Sequence, residues 1–275
     1  GILSIDQMAA LREVSASQGI MLESTSERLC QKGGPHFGSP DKQPAVRLSN
    51  IEQAGMLAIP FTTGILIGIG ESRAERIDSL LKIREINERY GHIQELIIQP
   101  FRAKPDTLMA EFPEPDTLDL LWTISVARIL FGPDMNLQAP PNLSPGVEET
   151  LIQAGINDWG GVSPVTLDHV NPEAPWPRIA ELRAKTYQSG KTLIPRLPVY
   201  SKYLEDSAKW LSPKVSAHVH RLIDGGGWPR TDRWVPGELA KAPMSIAVVP
   251  IKKATADLST IFNRVTKAID LTENQ

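Results

Sequence analysis

The chain has 275 residues, 41% of them apolar and 22% charged, with a formal net charge of −3. That is the make-up of a soluble globular protein, and it argues against nucleic-acid binding and against a polybasic membrane face. A single cysteine, Cys30, excludes a disulfide framework and cannot by itself hold zinc or an iron–sulfur cluster.

Ser4 and Gln7 have capping-box spacing and predict a helix running to about Ser17, ended by Gly19. Residues 20–22 read as a short strand whose end carries Glu23, Ser24 and Ser26. A polar loop with Gly33, Gly34, Pro35, Gly38 and Pro40 follows, then a helix over about 44–58. The stretch FTTGILIGIGE at 61–71 is the most informative. Its apolar run suits a parallel strand buried on both faces, and its closing glycines let another molecule approach the backbone. Ser72 and Glu75 form a second capping box, with Ile77, Leu80 and Leu81 as the apolar face of the helix. Residues 94–99 predict a third strand. Asp116 and Asp119 mark the start of a helix whose inner face is Leu118, Leu121, Trp122 and Ile129. Residues 135–138 read as a strand, 146–154 as a helix and 156–162 as a fifth strand segment. Beyond Pro172, residues 176–190 predict a helix and 193–200 an extended segment. Residues 224–243 read as a linker, and 257–269 as a last amphipathic helix.

Five βα steps imply a parallel sheet, with spacing that suits a barrel better than an open sheet, yet they fall short of eight strands. Ligands of such folds sit at the carboxyl ends of the strands. The polar residues there are Glu23, Ser24 and Ser26; Gly68, Gly70 and Glu71; Gln99 and Arg102; Gln138 and Asn142; and Asn157, Asp158 and Ser163. Together they suit a multi-heteroatom ligand, although turn propensity alone explains several of them. No G-x-S-x-G elbow supports acyl chemistry. The dinucleotide fingerprint fails because Arg73 stands at its third glycine position. Cys30 reads as an idle thiol. His36, His92 and His169 are isolated, and His218 and His220 read as surface residues. A phosphate site at Gly68–Gly70 is a further reading, weakened by the absence of Lys or Arg over 64–72. No apolar run reaches membrane-spanning length and no signal peptide opens the chain, so a cytoplasmic setting is expected.

GILIGIGE carries the G-x-[IL]-x-G-x-x-E pattern found on a core strand of radical SAM enzymes. MLESTSERL, HIQELIIQPFRAKPDT, PDMNLQAPPNLSPG and GINDWGGVSPVTLDHVNPEAPWP, in that order, closely resemble the cyclising, CofG-type subunit of deazaflavin (FO) synthase. The resemblance covers roughly residues 1–203. It implies an α/β fold, a radical SAM-type TIM (βα) barrel incomplete at its N-terminus, with strands 4 to 8 in residues 1–203. An extension and linker then occupy 204–275. It implies S-adenosylmethionine (SAM) and a [4Fe–4S] cluster as cofactors, and a 5′-deoxyadenosyl radical that abstracts a substrate hydrogen. The implied reaction is that of a lyase. It cyclises 5-amino-5-(4-hydroxybenzyl)-6-(D-ribitylimino)-5,6-dihydrouracil with loss of ammonia to FO, the precursor of coenzyme F420.

Matched by motif, Gly64, Gly68 and Glu71, with Gly70 beside them, shape the adenine site. Glu23, Ser24 and Ser26 address the amino group and ribose of SAM, and Arg47 its carboxylate. Gln99, Gln138, Asn142, Asn157, Asp158 and Ser163 then fall to substrate. The family's CxxxCxxC cluster motif is absent and is expected ahead of Gly1, so no metal ligand is expected within the chain. DLSTIFNRVTKAIDLTENQ resembles the opening helix of the CofH-type radical SAM partner subunit, which implies a partner subunit or fused domain. A piece of a longer, bifunctional protein and a truncated, non-catalytic remnant both stay open.

Overall fold

A computed structural model describes residues 2–230. Ser4 caps α1 (Ile5–Arg12) as expected: its hydroxyl accepts from the Gln7 amide, and the Gln7 side chain returns to the Ser4 amide. The helix stops at Arg12, earlier than expected, because Val14, Ser15 and Ser17 are weak helix formers. Gly19 is not its stop. It belongs to β1 (Gln18–Gly19), whose Gln18 amide donates to Pro60 O at 3.1 Å.

The sheet continues through β2 (Phe61–Ile67), β3 (Ile93–Pro100) and β4 (Asn136–Gln138). All pairs are parallel and the strands lie in sequence order, β1-β2-β3-β4. A helix follows each long strand and brings the chain back. This one-way progression is that of a barrel wall, since a doubly wound sheet reverses its order. α2 (Pro44–Met56), α3 (Arg73–Tyr90) and α4 (Thr117–Phe131) cover one face. Against them Phe61, Ile65, Ile67, Leu96, Ile98 and Leu137 are buried together with Ile51, Leu80, Ile83 and Ile124. The opposite face carries the half-buried Thr62, Leu66, Ile97, Gln99 and Gln138. β2 is therefore closed on one face and partly open on the other.

Two helix faces differ from expectation. The buried face of α3 is Arg76, Ser79, Leu80, Ile83 and Ile86, with Ile77 and Leu81 only half-buried. α4 buries Leu120, Thr123, Ile124 and Ala127, whereas Leu118 and Ile129 are exposed. Apolar residues surround α4 on several sides, so its pattern alone did not choose a face. The Ser72 capping box and the Asp116 cap form as expected.

α5 (Glu148–Ala154) and α6 (Ile179–Gln188) continue the outer layer. The expected fifth strand over 156–162 is reduced to one parallel bridge, Asp158 with Gln138. The Asn157 side chain, not its backbone, accepts from the Leu137 amide at 2.8 Å. Residues 193–200 do not join the sheet; Gln94 Nε2 instead donates to Pro198 O at 3.0 Å.

The described part of the extension packs onto the barrel segment without a break at 203. α7 (Ser207–Trp210) and α8 (Pro213–Leu222) enclose a second core of Val199, Tyr203, Leu204, Trp210, Leu211 and Val219. Tyr203 OH donates to Gly91 O at 3.0 Å, and Arg12 reaches Lys209 O at 2.7 Å. This core therefore closes the amino end of the sheet. Asp224–Trp228 forms a turn. The remainder of the expected linker and the helix over 257–269 lie outside the described residues. His92 is fully buried, its Nε2 2.9 Å from Ile51 O, and burial pushes its pKa down to about 4. No helix among the described residues is long and apolar enough to cross a membrane.

Candidate functional site

The carboxyl end of β2 is built around Glu71. Its Oε1 accepts from Gly68 N and its Oε2 from Ile69 N, both at 2.8 Å. Arg76 Nε meets the same carboxylate at 2.6 Å and reaches Asp119 at 3.0 Å. The Glu71 and Arg76 side chains are 1% and 5% exposed. Glu71 thus turns the Gly68–Gly70 loop back onto α3 and spends its acceptors on the protein. Gly68 has φ +87, and a Cβ there would lie 2.4 Å from Pro115 Cδ. At Gly64 a Cβ would fall 2.1 Å from Ile97 O, so this glycine lets β2 and β3 approach each other.

Gly68→Val is therefore expected to strain the backbone and collide with Pro115. The cost is about 3 kcal/mol, from left-handed φ plus overpacking. A urea midpoint equal to that of the parent would mean that the loop relaxes freely.

Glu23 sits at φ 66, in the left-handed region that non-glycine residues rarely adopt. The conformation arises from a bulge: Gly19 pairs with Thr62 and Glu23 with Ile65, four steps on one strand against three on the other. The Glu23 carboxylate meets His36 Nε2 at 2.8 Å, Lys42 Nζ at 2.5 Å and Arg47 Nη1 at 3.0 Å. Burial alone would raise its pKa, but hydrogen bonds from His36 and Lys42 and the charges of Lys42 and Arg47 hold it at about 2. Arg47 is buried and also donates to Asp41 O and Met21 O. Ser24 Oγ accepts from Ser26 N, and Ser26 Oγ donates to Glu75. Arg28 ties Glu75 to Gly70 O. The eight residues matched to SAM thus gather at one rim, but their side chains are mostly engaged by neighbouring protein groups, among them His36, Lys42, Glu75 and Arg76. Cys30 lies beside this loop with its thiol raised by burial first and by Glu27 and Glu23 after it.

The second feature is a cavity of about 1130 Å³ over the open sheet face, reached by Thr62, Glu95, Ile97, Gln138, Asp158 and Arg196. Arg196 bridges two carboxylates. It meets Asp158 through Nε at 2.5 Å and Nη2 at 3.1 Å, and Glu95 through Nη2 at 2.7 Å. Tyr200 OH donates to Asp158 Oδ2 at 2.5 Å. Burial, opposed by Arg196 and reinforced by Asp158, pushes Glu95 up to about 7. Burial and the same two carboxylates raise the Tyr200 phenol, which stays protonated.

Of the residues assigned to substrate, Gln138, Asn157 and Asp158 line this cavity. Gln99 is on the same sheet face but outside the cavity lining. Asn157 is engaged by Leu137 N, Arg128 and Asn136. Asn142 is buried and fastens a loop through Asp168 and Ala174 O. Ser163, whose carbonyl accepts from Thr166 N, follows the lining residue Val162 and is not itself part of the lining. Arg102 is held by Glu114 and Leu143 O. Glu95, Arg196, Tyr200 and His36 were not found by sequence reasoning. The signal for Glu95 was a lone charge inside the apolar strand word IQELIIQP.

An iron–sulfur cluster does not fit the residues present. The sequence has one cysteine, and among the described residues no group of three or more Cys, His, Asp or Glu is placed to hold a metal.

No family model matches the chain. The FO synthase of Mycobacterium tuberculosis is 52% identical over 226 residues, 82% of this chain and 26% of that protein. That of Streptomyces coelicolor is 49% identical over 245 residues, 88% of this chain and 28% of that protein. The 7,8-didemethyl-8-hydroxy-5-deazariboflavin synthase of Methanopyrus kandleri is 49% identical over 230 residues, 84% of this chain and 68% of that protein. The chain thus spans about a quarter of the length of the FO synthases and about two thirds of the M. kandleri protein. Among solved structures, HydG, a maturase of the [FeFe]-hydrogenase, aligns with a TM-score of 0.50 at 17% identity, over 57% of this chain and 35% of that chain. That likeness speaks to the fold alone. The ordered parallel strands, the outer helices and this likeness define an α/β fold of the (βα)-barrel kind. The chain belongs to the 7,8-didemethyl-8-hydroxy-5-deazariboflavin (FO) synthase family.

Proposed function

We propose that this chain is the barrel segment of a radical SAM lyase that forms the deazaflavin FO, precursor of coenzyme F420. The observation that carries the reading is its 49% identity along 68% of the M. kandleri synthase. The substrate is the hydroxybenzyl adduct of the ribityl-imino dihydrouracil, which cyclises with loss of ammonia. When bound, SAM with a reduced [4Fe–4S] cluster supplies the hydrogen-abstracting radical. No step through the cluster is assigned to this chain, whose residues do not supply its ligands. Its own part is to shape a SAM-binding rim at the end of β2, from Glu23 to Ser26 and from Gly64 to Glu71, and to enclose substrate. A CofH-type subunit or fused domain is the partner that delivers the adduct, in a cytoplasmic setting.

The cavity chemistry supports an uncharged polar substrate. The uncommitted side-chain amide of Gln138 suits a uracil edge or a ribityl hydroxyl. Arg102 and Lys104 at the strand ends are engaged by Glu114 and by the carbonyls of Leu143 and Val170, and Arg196 by Glu95 and Asp158, while Arg183 and Lys191 also line the cavity. A phosphate would find no free partner at Arg102 or Lys104. The test supplies the full-length protein with SAM, a reductant and the adduct, and follows deazaflavin by absorbance and mass. Deazaflavin is expected, with a phosphorylated ribityl analogue turned over at roughly a tenth of the rate or less. SAM cleavage without any deazaflavin would overturn the substrate assignment.

The single cysteine also favours a second reading, a non-catalytic remnant. Three cysteines spaced CxxxCxxC in the full-length protein would remove it.

A further inference from the structure

The two carboxylates on the cavity wall are not equally satisfied. Asp158 receives Arg196 Nε at 2.5 Å, Arg196 Nη2 at 3.1 Å, Tyr200 OH at 2.5 Å and Gly160 N at 2.6 Å. Glu95 receives one N–H of Arg196 Nη2 at 2.7 Å, a nitrogen that also donates to Asp158, and the Thr62 hydroxyl at 3.2 Å. Tyr200 OH lies 3.4 Å from Glu95, but a phenol has one proton, and the shorter contact commits it to Asp158. One guanidinium therefore serves two carboxylates. Glu95, with a side chain only 6% exposed, lines the cavity with unused acceptor capacity. Gln138 faces the same cavity, and its side-chain amide makes no hydrogen bond within the described protein.

We propose that Glu95 is the amine-binding carboxylate of this cavity, receiving a protonated amine of the ligand while Arg196 and Asp158 form its fixed backing. The proposal deepens the function given above and rests on it for the ligand's identity: the amine is the 5-amino group of the adduct. The charge count supports a cation. The groups facing Glu95 are neutral Thr62 from β2, Asp158 from the segment after α5, and Arg196 and Tyr200 from the 193–200 segment. Two carboxylates against one guanidinium leave one negative charge in a buried place. Without ligand, that excess is met by a proton, consistent with a Glu95 pKa of about 7. An ammonium replaces the proton directly. A neutral carbonyl or an anionic group would instead leave it in place.

Cation binding must then release protons from Glu95. Calorimetric titration of the adduct into the full-length protein at pH 7, in two buffers of different ionisation enthalpy, is expected to show release of about half a proton per site. Glu95→Gln, shown folded by its circular dichroism, should bind roughly tenfold more weakly or worse with no proton release, because a carboxylate–ammonium contact is gone. Glu95→Asp, which keeps the charge, should restore part of both signals. Equal adduct affinity and equal proton release in wild type and Glu95→Gln would overturn the proposal while leaving FO formation standing. Benzylammonium serves as a second probe. If it releases the Glu95 proton while the wild type forms no deazaflavin, the amine subsite stands and the function assigned above fails.

Discussion

Glu71→Ala is expected to destabilise the protein by about 3–5 kcal/mol, the range for removing one partner of a buried ion pair. The Arg76 guanidinium, 5% exposed, would keep Asp119 at 3.0 Å but lose its 2.6 Å contact. The Gly68 and Ile69 amides would lose their acceptors at the same time. Each orphaned donor adds a desolvation cost of roughly 1–3 kcal/mol unless water replaces the carboxylate. Glu71→Gln keeps one acceptor and should fall between the two. Urea unfolding measures the series. SAM titration into the full-length protein supplies a second readout, because the loop that Glu71 holds forms the proposed cofactor rim. A Glu71→Ala protein with parental stability would mean that the loop is held by Pro115 packing alone. A stable variant that has lost SAM affinity would instead make Glu71 a ligand contact.

Local signals in the sequence are strong where a few neighbouring residues decide the structure. The Ser4 and Ser72 capping boxes, the Asp116 cap and the glycine-terminated β2 are of this kind, and each forms. The helix faces were harder. α4 carries leucines and isoleucines on several sides, and only its neighbours β3 and α3 select Leu120 and Ile124 over Leu118 and Ile129. The stretch after α5 read as a strand because Ile156 and Val162 flank it. The Asn157 and Asp158 amides still donate to Leu137 O, but the Asn157 side chain accepts from the Leu137 amide, and the ladder ends at one bridge. At the site, strand-end logic reached Glu23, Glu71 and Asp158 but missed their partners. Glu95 and Arg196 are 101 residues apart, and His36 enters the Glu23 cluster through a loop with no periodic pattern. Such pairings are set by how the chain turns round the barrel, and no window of sequence contains them. Asn142 proves to be a fastener, in line with the turn propensity of its residue type.

The sharpest charge effect is expected at Arg196. Arg196→Ala removes the cation between Glu95 and Asp158, and with it a stack on the Tyr200 ring at 4.6 Å. The two carboxylates then face each other in a buried wall and can stay there only by taking up a proton. The sign of the pH dependence follows from Glu95. Its folded value of about 7 lies above the ordinary 4.5, so the native state binds the extra proton between those values. That contribution to stability is fully present below pH 4.5 and is lost as pH rises through 7. Without Arg196, whose charge lowers the Glu95 value, the window moves upward and the loss on its alkaline side deepens. The expected destabilisation is about 3–5 kcal/mol at pH 8 and only ~1–2 kcal/mol at pH 5. Urea unfolding at both pH values measures it. Arg196→Lys restores a charge but not the fork that spans both carboxylates, and should recover part of the pH 8 loss. If Arg196→Ala lost the same stability at both pH values, packing on Tyr200 would be the main role of Arg196. The wall would then carry no surplus charge for a ligand's amine to answer.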